Sequence, residues 1–517
     1  MANEKELSNP QNYDSTTALL VQVLWAIAVA SYLATSLFAP DFFEQLVIGR
    51  WILSHHDLPR EDLWTLLAQN RAWRPVSWLF ALNLAWVESI AGELGLAFFK
   101  LSGFLLFALV AVFLFSHQAC DKFFGTLIAC IVCCAVLLNA VLSPELFAWS
   151  LFLASIGIFK CFSEQEKQSK RYLIALFLLG VLFANVSGFS LLALLVIALH
   201  AFTNLASEEV SKKNLLIAAG VFALSQFFTP YLGVQCLQII HSAINQLSLD
   251  FYYQLNAGTV YDFPVAFLVL IILLLAVFWS KSPEGLRLSE VLALSLCTLI
   301  GLASSFVLPY AIILAGSSTA ILWGRTNSER LGKLAEGFTI LRSKLLGISP
   351  FGVLWLALCI VIVNVINIYR IPSSRVFLPQ AEVDYLLENK PPFPLLHESS
   401  IGPYLVYRFS DARGEPLEKA AISPRAINLV PELGRYAIAL ERFGPDWRKF
   451  FDFIAPNTVL CRKASPMYAV LQSDAMWKLV FENGLLNGEA DREDSRRQLP
   501  EEYIWAVFKK SNKKSHD

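Results

Sequence analysis

Charge is what this sequence has least of: 16% of its 517 residues are Asp, Glu, Lys or Arg, against 56% that are apolar. With a mean hydropathy of +0.53, that scarcity excludes an ordinary water-soluble domain and marks an integral membrane protein. The net charge of -1 carries no argument about nucleic acid, and no nucleic-acid partner is expected. A Gly-rich phosphate loop, a nucleophile elbow and a zinc signature are also missing. The nine cysteines show no metal-binding spacing and no disulfide framework. Most of them, Cys130, Cys133 and Cys297 for example, lie in or beside apolar runs, where a thiol behaves as a small hydrophobe.

What is present is a series of apolar runs from Thr17 to Tyr369, followed by a mixed polar stretch. A hydrocarbon core of about 30 Å asks for roughly 20 apolar residues per helix, so the runs read as about eleven spans. The first is Thr17 to Phe38, the second Gly95 to Phe115 and the last Phe351 to Tyr369. Basic residues alternate with them. Lys122, Lys167 to Arg171, Lys212 and Lys213, Lys281 and Arg287, and Arg325 to Lys344 fall on one side. The opposite junctions, Ser143 to Glu145, Val186 to Gly188 and Thr229 to Asp262, contain no Lys or Arg. The positive-inside rule then places the N-terminus in the cytoplasm and the tail outside. The expected organisation is a cytoplasmic segment 1–16, a transmembrane domain 17–370 with a first outer loop 39–94, and an outer soluble domain 371–517. The fold class is an all-α polytopic membrane bundle with interfacial helices and a small α/β or α+β tail domain.

In the first outer loop, Asp41 to Leu53 carries apolar residues at helical spacing and reads as an interfacial helix, with Trp78 to Ile90 as a second. In the tail, Pro379 to Asn389 reads as a helix, and Tyr404 to Phe409 and Thr458 to Arg462 as short strands. Trp477 and Trp505 are expected in its core. The segment 234–262, without a single Lys or Arg, reads as a mobile flap.

Ionisable groups near a bilayer are costly to keep, which makes Asp41, just past the first span, the leading functional candidate. It would equally serve as the N-cap of the helix that it opens. Glu44 stands at the capping-box spacing and favours a structural role. Asp62 follows Pro59 and reads first as a solvated turn residue, second as a ligand for an acceptor or a divalent cation. His55 and His56 are adjacent, so they cannot share a metal ion by themselves on a helix, and they read as interfacial polar residues. Glu145 opens a span, where the helix dipole favours a carboxylate, and is the other acceptor or metal candidate. The short runs Tyr172 to Asn185 and Leu215 to Phe228 end at polar residues, so Asn185, Gln226 and Thr229 are expected to line a cavity.

The order of motifs resembles the GT-C glycosyltransferases, similar in plan to the bacterial aminoarabinose transferases and the protein O-mannosyltransferases. The pieces that carry the resemblance begin with Asp41, Gly49-Arg-Trp-Ile-Leu53, Pro59-Arg-Glu-Asp62 and Trp73-Arg-Pro-Val-Ser-Trp-Leu79. They continue with Pro144-Glu145, Ala184-Asn-Val-Ser-Gly-Phe189, Thr229-Pro-Tyr-Leu-Gly233, Gly402-Pro-Tyr-Leu-Val-Tyr-Arg408, Arg425 and Trp447. The departures fall on polar positions. Gln45 and Ser187 stand where the family commonly has His, Ser77 where it has Glu, Thr229 where it has Asn and Ser423 where it has Asp.

The resemblance implies transfer of a sugar from a polyprenyl-phosphate lipid to a glycan, lipid or protein acceptor, on the outer face of an inner (cytoplasmic) membrane. The tail would then be periplasmic or extracellular, with membrane lipids around the spans. Such chemistry asks for a base on the acceptor hydroxyl and for cations on the departing phosphate. Asp41 is the expected base, and Lys100, Arg74 and Arg50 the expected phosphate ligands. A divalent cation is the cofactor to test for. The departures leave a second outcome open, a non-catalytic scaffold or assembly partner built on the same fold.

Overall fold

The computed structural model describes residues 40–119, 122–137, 141–164, 170–204, 212–253, 269–275, 286–303, 306–325, 378–483 and 504–511. The expected first and last spans, and most of the one at 263–279, lie outside these residues. The chain groups into two compact units. A helical unit draws on Ala91–Ile239 and Gln254–Ile368, and a loop–tail unit on Phe38–Ile90, Ile240–Tyr253 and Tyr369–Asp517.

In chain order the first helices are α1 (Pro40–His55), α2 (Trp78–Gln118), α3 (Lys122–Leu137), α4 (Pro144–Glu164), α5 (Lys170–Val186) and α6 (Ser190–Asn204). They are followed by α7 (Lys212–Ser225), α8 (Val234–Tyr253), α9 (Leu288–Ala303) and α10 (Leu308–Arg325). The tail adds α11 (Gln380–Asn389), α12 (Gly402–Arg408), α13 (Pro424–Leu429), α14 (Pro431–Arg442), α15 (Trp447–Ile454) and α16 (Pro466–Ser473). Its four strands are β1 (Leu395–His397), β2 (Thr458–Arg462), β3 (Trp477–Asn483) and β4 (Trp505–Lys510).

Among the described residues two helices are long and apolar enough to cross a bilayer: α2 and the stretch Pro144–Phe162 of α4. Phe124–Leu137, Ser190–Asn204, Leu288–Leu302 and Leu308–Leu322 are apolar but shorter. The inner faces of the helical unit pack as a core that includes Phe107, Phe115, Phe152, Phe159 and Tyr310. Some of its buried polar groups are paired with one another. Lys160 meets Glu290 at 3.2 Å, and Asn204 donates to the Ser289 hydroxyl at 3.2 Å. Large apolar side chains point outward at Leu109, Phe113, Leu178, Phe202 and Leu299, a surface that water would oppose and lipid accepts.

The expected interfacial helix Trp78 to Ile90 and the following span are joined in α2, but not as one regular helix. Gly92 interrupts it with φ 56° and ψ -145°, a conformation that a residue without Cβ reaches cheaply. The unit boundary falls beside it, between Ile90 and Ala91.

In the loop–tail unit the sheet runs β1-β2-β4-β3, parallel between β1 and β2 and antiparallel elsewhere. Leu395 lies opposite Thr458, and Trp477 and Trp505 are buried as expected. The strand expected at 404–409 is instead helix α12, which Pro403 starts within its first turn. Rings of Tyr404 and Tyr407 from α12 meet Phe43 of α1 at 5.2 and 5.3 Å. The tail thus packs directly on α1.

Gly49 is where α1 crosses the start of α2. A Cβ at this position would stand 1.9 Å from the Ala81 carbonyl oxygen and 2.8 Å from the Ala85 Cβ. Gly49→Ala should destabilise the unit by about 1–3 kcal/mol, because backbone cannot retreat as a side chain can. Gly220→Ala, in the interior of α7 with nothing within 4 Å, should be neutral or slightly stabilising. Thermal unfolding of both variants in detergent checks the contrast.

Candidate functional site

The loop–tail unit contains a buried charge cluster assembled from residues far apart in sequence. Arg425, in the first turn of α13, lies between the carboxylates of Glu44 and Asp62. Its Nε donates to Glu44 Oε1 at 2.7 Å, and its Nη2 reaches Glu44 Oε1 at 2.6 Å and Asp62 Oδ1 at 3.1 Å. Ser423, whose hydroxyl also caps α13 by accepting from the Ala426 N–H, donates to Glu44 Oε1 at 3.3 Å. Asp62 accepts from the Trp64 N–H at 3.0 Å and from the Thr65 hydroxyl at 2.5 Å. The guanidinium faces the Trp73 ring at 4.1 Å and the Trp64 ring at 5.8 Å. Planar, delocalised and weakly hydrated, it suits a place beside two indole rings set at 89° to each other better than an ammonium would.

Burial sets the electrostatics. Desolvation pushes the Glu44 carboxyl above its usual range, although Arg425 beside it pulls the other way. Burial alone would lower the Arg425 guanidinium, but Asp62 and Glu44 outweigh it and hold Arg425 above its usual value. Arg425 is therefore charged, and Glu44 is a carboxylate that takes up a proton more readily than usual. One atom is left over: Arg425 Nη1 is buried with no hydrogen-bond partner among the described residues.

Backbone pairing fixes the loop in place. Leu66 and Leu67 N–H groups donate to the carbonyls of Ala420 and Ala421 at 2.8 and 3.0 Å, and Ala420 N–H returns a bond to Trp64. Trp64 Nε1 donates to the Gly414 carbonyl at 2.9 Å. Gly414 sits at φ 82° with Val47 and Trp51 backbone within 3 Å of where its Cβ would be, so a side chain is excluded twice over.

The candidates named from sequence separate clearly in this frame. Asp41 is exposed in the first turn of α1. Glu44, one turn further along the same helix, is not a capping-box residue but an ion-pair partner of Arg425. Asp62 is wholly buried, not a solvated turn residue. Arg50 bonds Glu88 at 2.5 and 2.9 Å and lies over the Tyr407 ring at 5.1 Å. Arg74 is half-buried in the segment leading to α2. His55 and His56 are exposed, His55 stacking on Trp51 at 4.3 Å and reaching Glu415 at 2.8 Å.

In the helical unit, Lys100 of α2 is 1% exposed, with its ammonium 5.4 Å from the Phe104 ring centre. Glu145 opens α4 in its first turn. Asn185, Gln226 and Thr229 are buried and close together: Asn185 donates to the Phe228 carbonyl at 3.0 Å, and Gln226 to the Phe222 carbonyl at 3.3 Å. Gln226 Oε1 and Thr229 Oγ1 are buried without hydrogen-bond partners among the described residues. No set of three His, Cys, Asp or Glu side chains clusters as metal ligands among the described residues.

Sequence reasoning did not connect Arg425 to Glu44 and Asp62, which lie 381 and 363 positions away. The available signal was weak. Glu44 follows Phe42-Phe43 and Asp62 precedes Leu63-Trp64, and a carboxylate beside large apolar residues calls for a partner where it is buried.

No family model matches this chain, and no curated protein matches it. Among solved structures it is similar to the archaeal oligosaccharyltransferase AglB from Archaeoglobus fulgidus in complex with an inhibitory peptide and a dolichol-phosphate. Identity is 13% and the TM-score 0.45, over 86% of this chain and 69% of that one. An Archaeoglobus fulgidus oligosaccharyltransferase in complex with Zn and sulfate gives 13% identity and a TM-score of 0.49, over 85% of this chain and 68% of that one. No residue role follows from likenesses this distant.

Proposed function

We propose that this chain is a GT-C-type membrane glycosyltransferase that moves a sugar from a polyprenyl-phosphate lipid to a glycan, lipid or protein acceptor. The observation that carries the reading is how the loop divides its acidic residues. Glu44 and Asp62 are buried on Arg425, whereas Asp41 opens the same helix at an exposed position. The base is assigned to Asp41, the acidic residue in the first turn of α1. Its carboxylate takes the proton of the acceptor hydroxyl as that oxygen attacks the anomeric carbon. The bond between the sugar and the phosphate oxygen breaks, and the lipid phosphate leaves with the negative charge. Lys100, Arg74 and Arg50 are assigned to that phosphate, Arg50 being held in place by Glu88. Asn185, Gln226 and Thr229 are assigned to the polar lining of the lipid or acceptor site, and Glu145 and Asp62 to no reacting group.

Asp41→Asn keeps the shape of the side chain and removes the base. Surface glycans, or in vitro transfer from a lipid-phosphate sugar, should fall by about 100-fold or more. A deletion strain that loses glycans while the Asn variant retains them would overturn the reading.

That outcome would support the second reading, a non-catalytic scaffold or assembly partner on the same plan. Its specific support is the loss of ionisable groups at Gln45, Ser77 and Ser187, joined to the structural use of Glu44 and Asp62.

A further inference from the structure

Helix α8 is built inside out for a segment exposed to water. Successive residues turn by about 100° around a helix. On that wheel Val234, Leu237, Ile240, Ala243 and Ile244 fall within one half, and all are exposed. Leu237 and Ile244 expose 69% and 60% of their surface. The one polar residue of this half is His241, near its margin. The other half holds the polar groups. Gln235 is 1% exposed and donates to the Ala184 carbonyl at 3.1 Å, and Asn245 donates to the Asn428 carbonyl at 3.1 Å. The turn that leads in continues the pattern with Phe227, Phe228 and Leu232 all pointing outward.

We propose that the outward face of α8, with Phe227, Phe228 and Leu232 before it, is a lipid-contact surface seated among the acyl chains of the bilayer. An amphipathic helix solvated by water hides its apolar side; this one hides its amides, which is favourable only where the surrounding medium is itself apolar. The absence of Lys and Arg between Thr229 and Asp262 argues against attachment through anionic headgroups and for the hydrocarbon below them. The face is also of one kind with the outward surfaces of α5 and α7, where Leu178, Leu216 and Leu224 are exposed. Membrane lipid is thus the partner that fits this surface, within the segment 234–262 that the sequence reads as a mobile flap. The inference rests on the membrane reading of the chain and not on sugar transfer.

Spin-label accessibility tests it in the full-length protein, in a cysteine-depleted background reconstituted into phosphatidylethanolamine–phosphatidylglycerol bilayers. Nitroxides go on Leu237→Cys and Ile244→Cys, with Phe113→Cys on the outer side of α2 and Glu388→Cys on the tail surface as references. Both α8 labels should collide readily with oxygen and lose collisions with a water-soluble nickel chelate relative to Glu388→Cys, as Phe113→Cys does. High nickel collisions on α8 with Phe113 protected would mean a water-facing helix and overturn the proposal. Low collisions with both reagents would mean that a second copy or another protein covers the face, which also overturns it. Nickel reaching Phe113 as well would bring down the membrane reading itself.

Discussion

Replacing Arg425 with methionine should destabilise the folded protein by about 3–5 kcal/mol, a loss read from urea or thermal unfolding of the detergent-solubilised chain. The size follows from what is left behind. Glu44 and Asp62 would remain buried, with the cation that meets both of them gone. Arg425→Lys should recover only part of the loss, since a compact ammonium lacks the fork of donors that meets both carboxylates beside Trp73. Replacing Glu44, Asp62 and Arg425 together with apolar residues of similar volume should cost less than removing Arg425 alone, because the desolvation penalty disappears with the charges. If Arg425→Met loses less than about 1 kcal/mol, the cluster behaves as a solvated surface pair and its structural role is refuted.

Acid should weaken the same unit through His397, by about 3 kcal/mol between neutral pH and pH 4. The imidazole is buried. Its Nε2 accepts from the Ala421 N–H at 2.9 Å, so the proton sits on Nδ1, 2.8 Å from the Glu398 carbonyl. Burial lowers its pKa from 6.5 to about 4. The unfolded chain therefore binds a proton that the folded chain refuses, and stability is fully present above pH 6.5 and falls as the pH drops towards 4. Nearby Glu398 and Glu441, both raised by burial, contribute with the opposite sign, so the quantity to measure is a difference. Unfolding free energies of wild type and His397→Gln should diverge in their pH slope across that window. Equal slopes would show that His397 does not set it.

The parts that sequence made legible are those governed by local rules. Periodicity located α1 and α11, β-branched and apolar residues located β2, and the hydropathy of α2 and α4 gave helices able to cross a bilayer. The parts that escaped depend on distant partners. Glu44 has capping-box spacing and Asp62 follows a turn-forming proline, so each has a sufficient local explanation that Arg425 overrides. The apolar and aromatic run Tyr404 to Phe409 reads as a strand, but Pro403 and the packing of α1 on both tyrosines favour helix. Helix α8 was missed for a different reason. Its segment reads as a mobile flap, whereas its exposed side chains are apolar and its amides are turned in.

The bonds between the first outer loop and the tail also impose a delay on biosynthesis. Trp64 waits for Gly414, 350 positions later, and at about 5–20 residues per second the ribosome needs roughly 20–70 s to deliver it. Throughout that interval Trp64, Trp73 and the carboxylates of Glu44 and Asp62 exist without the half of the fold that encloses them. A nascent chain released early, by truncation ahead of Ser423, would leave this segment permanently unfinished and open to quality-control proteases.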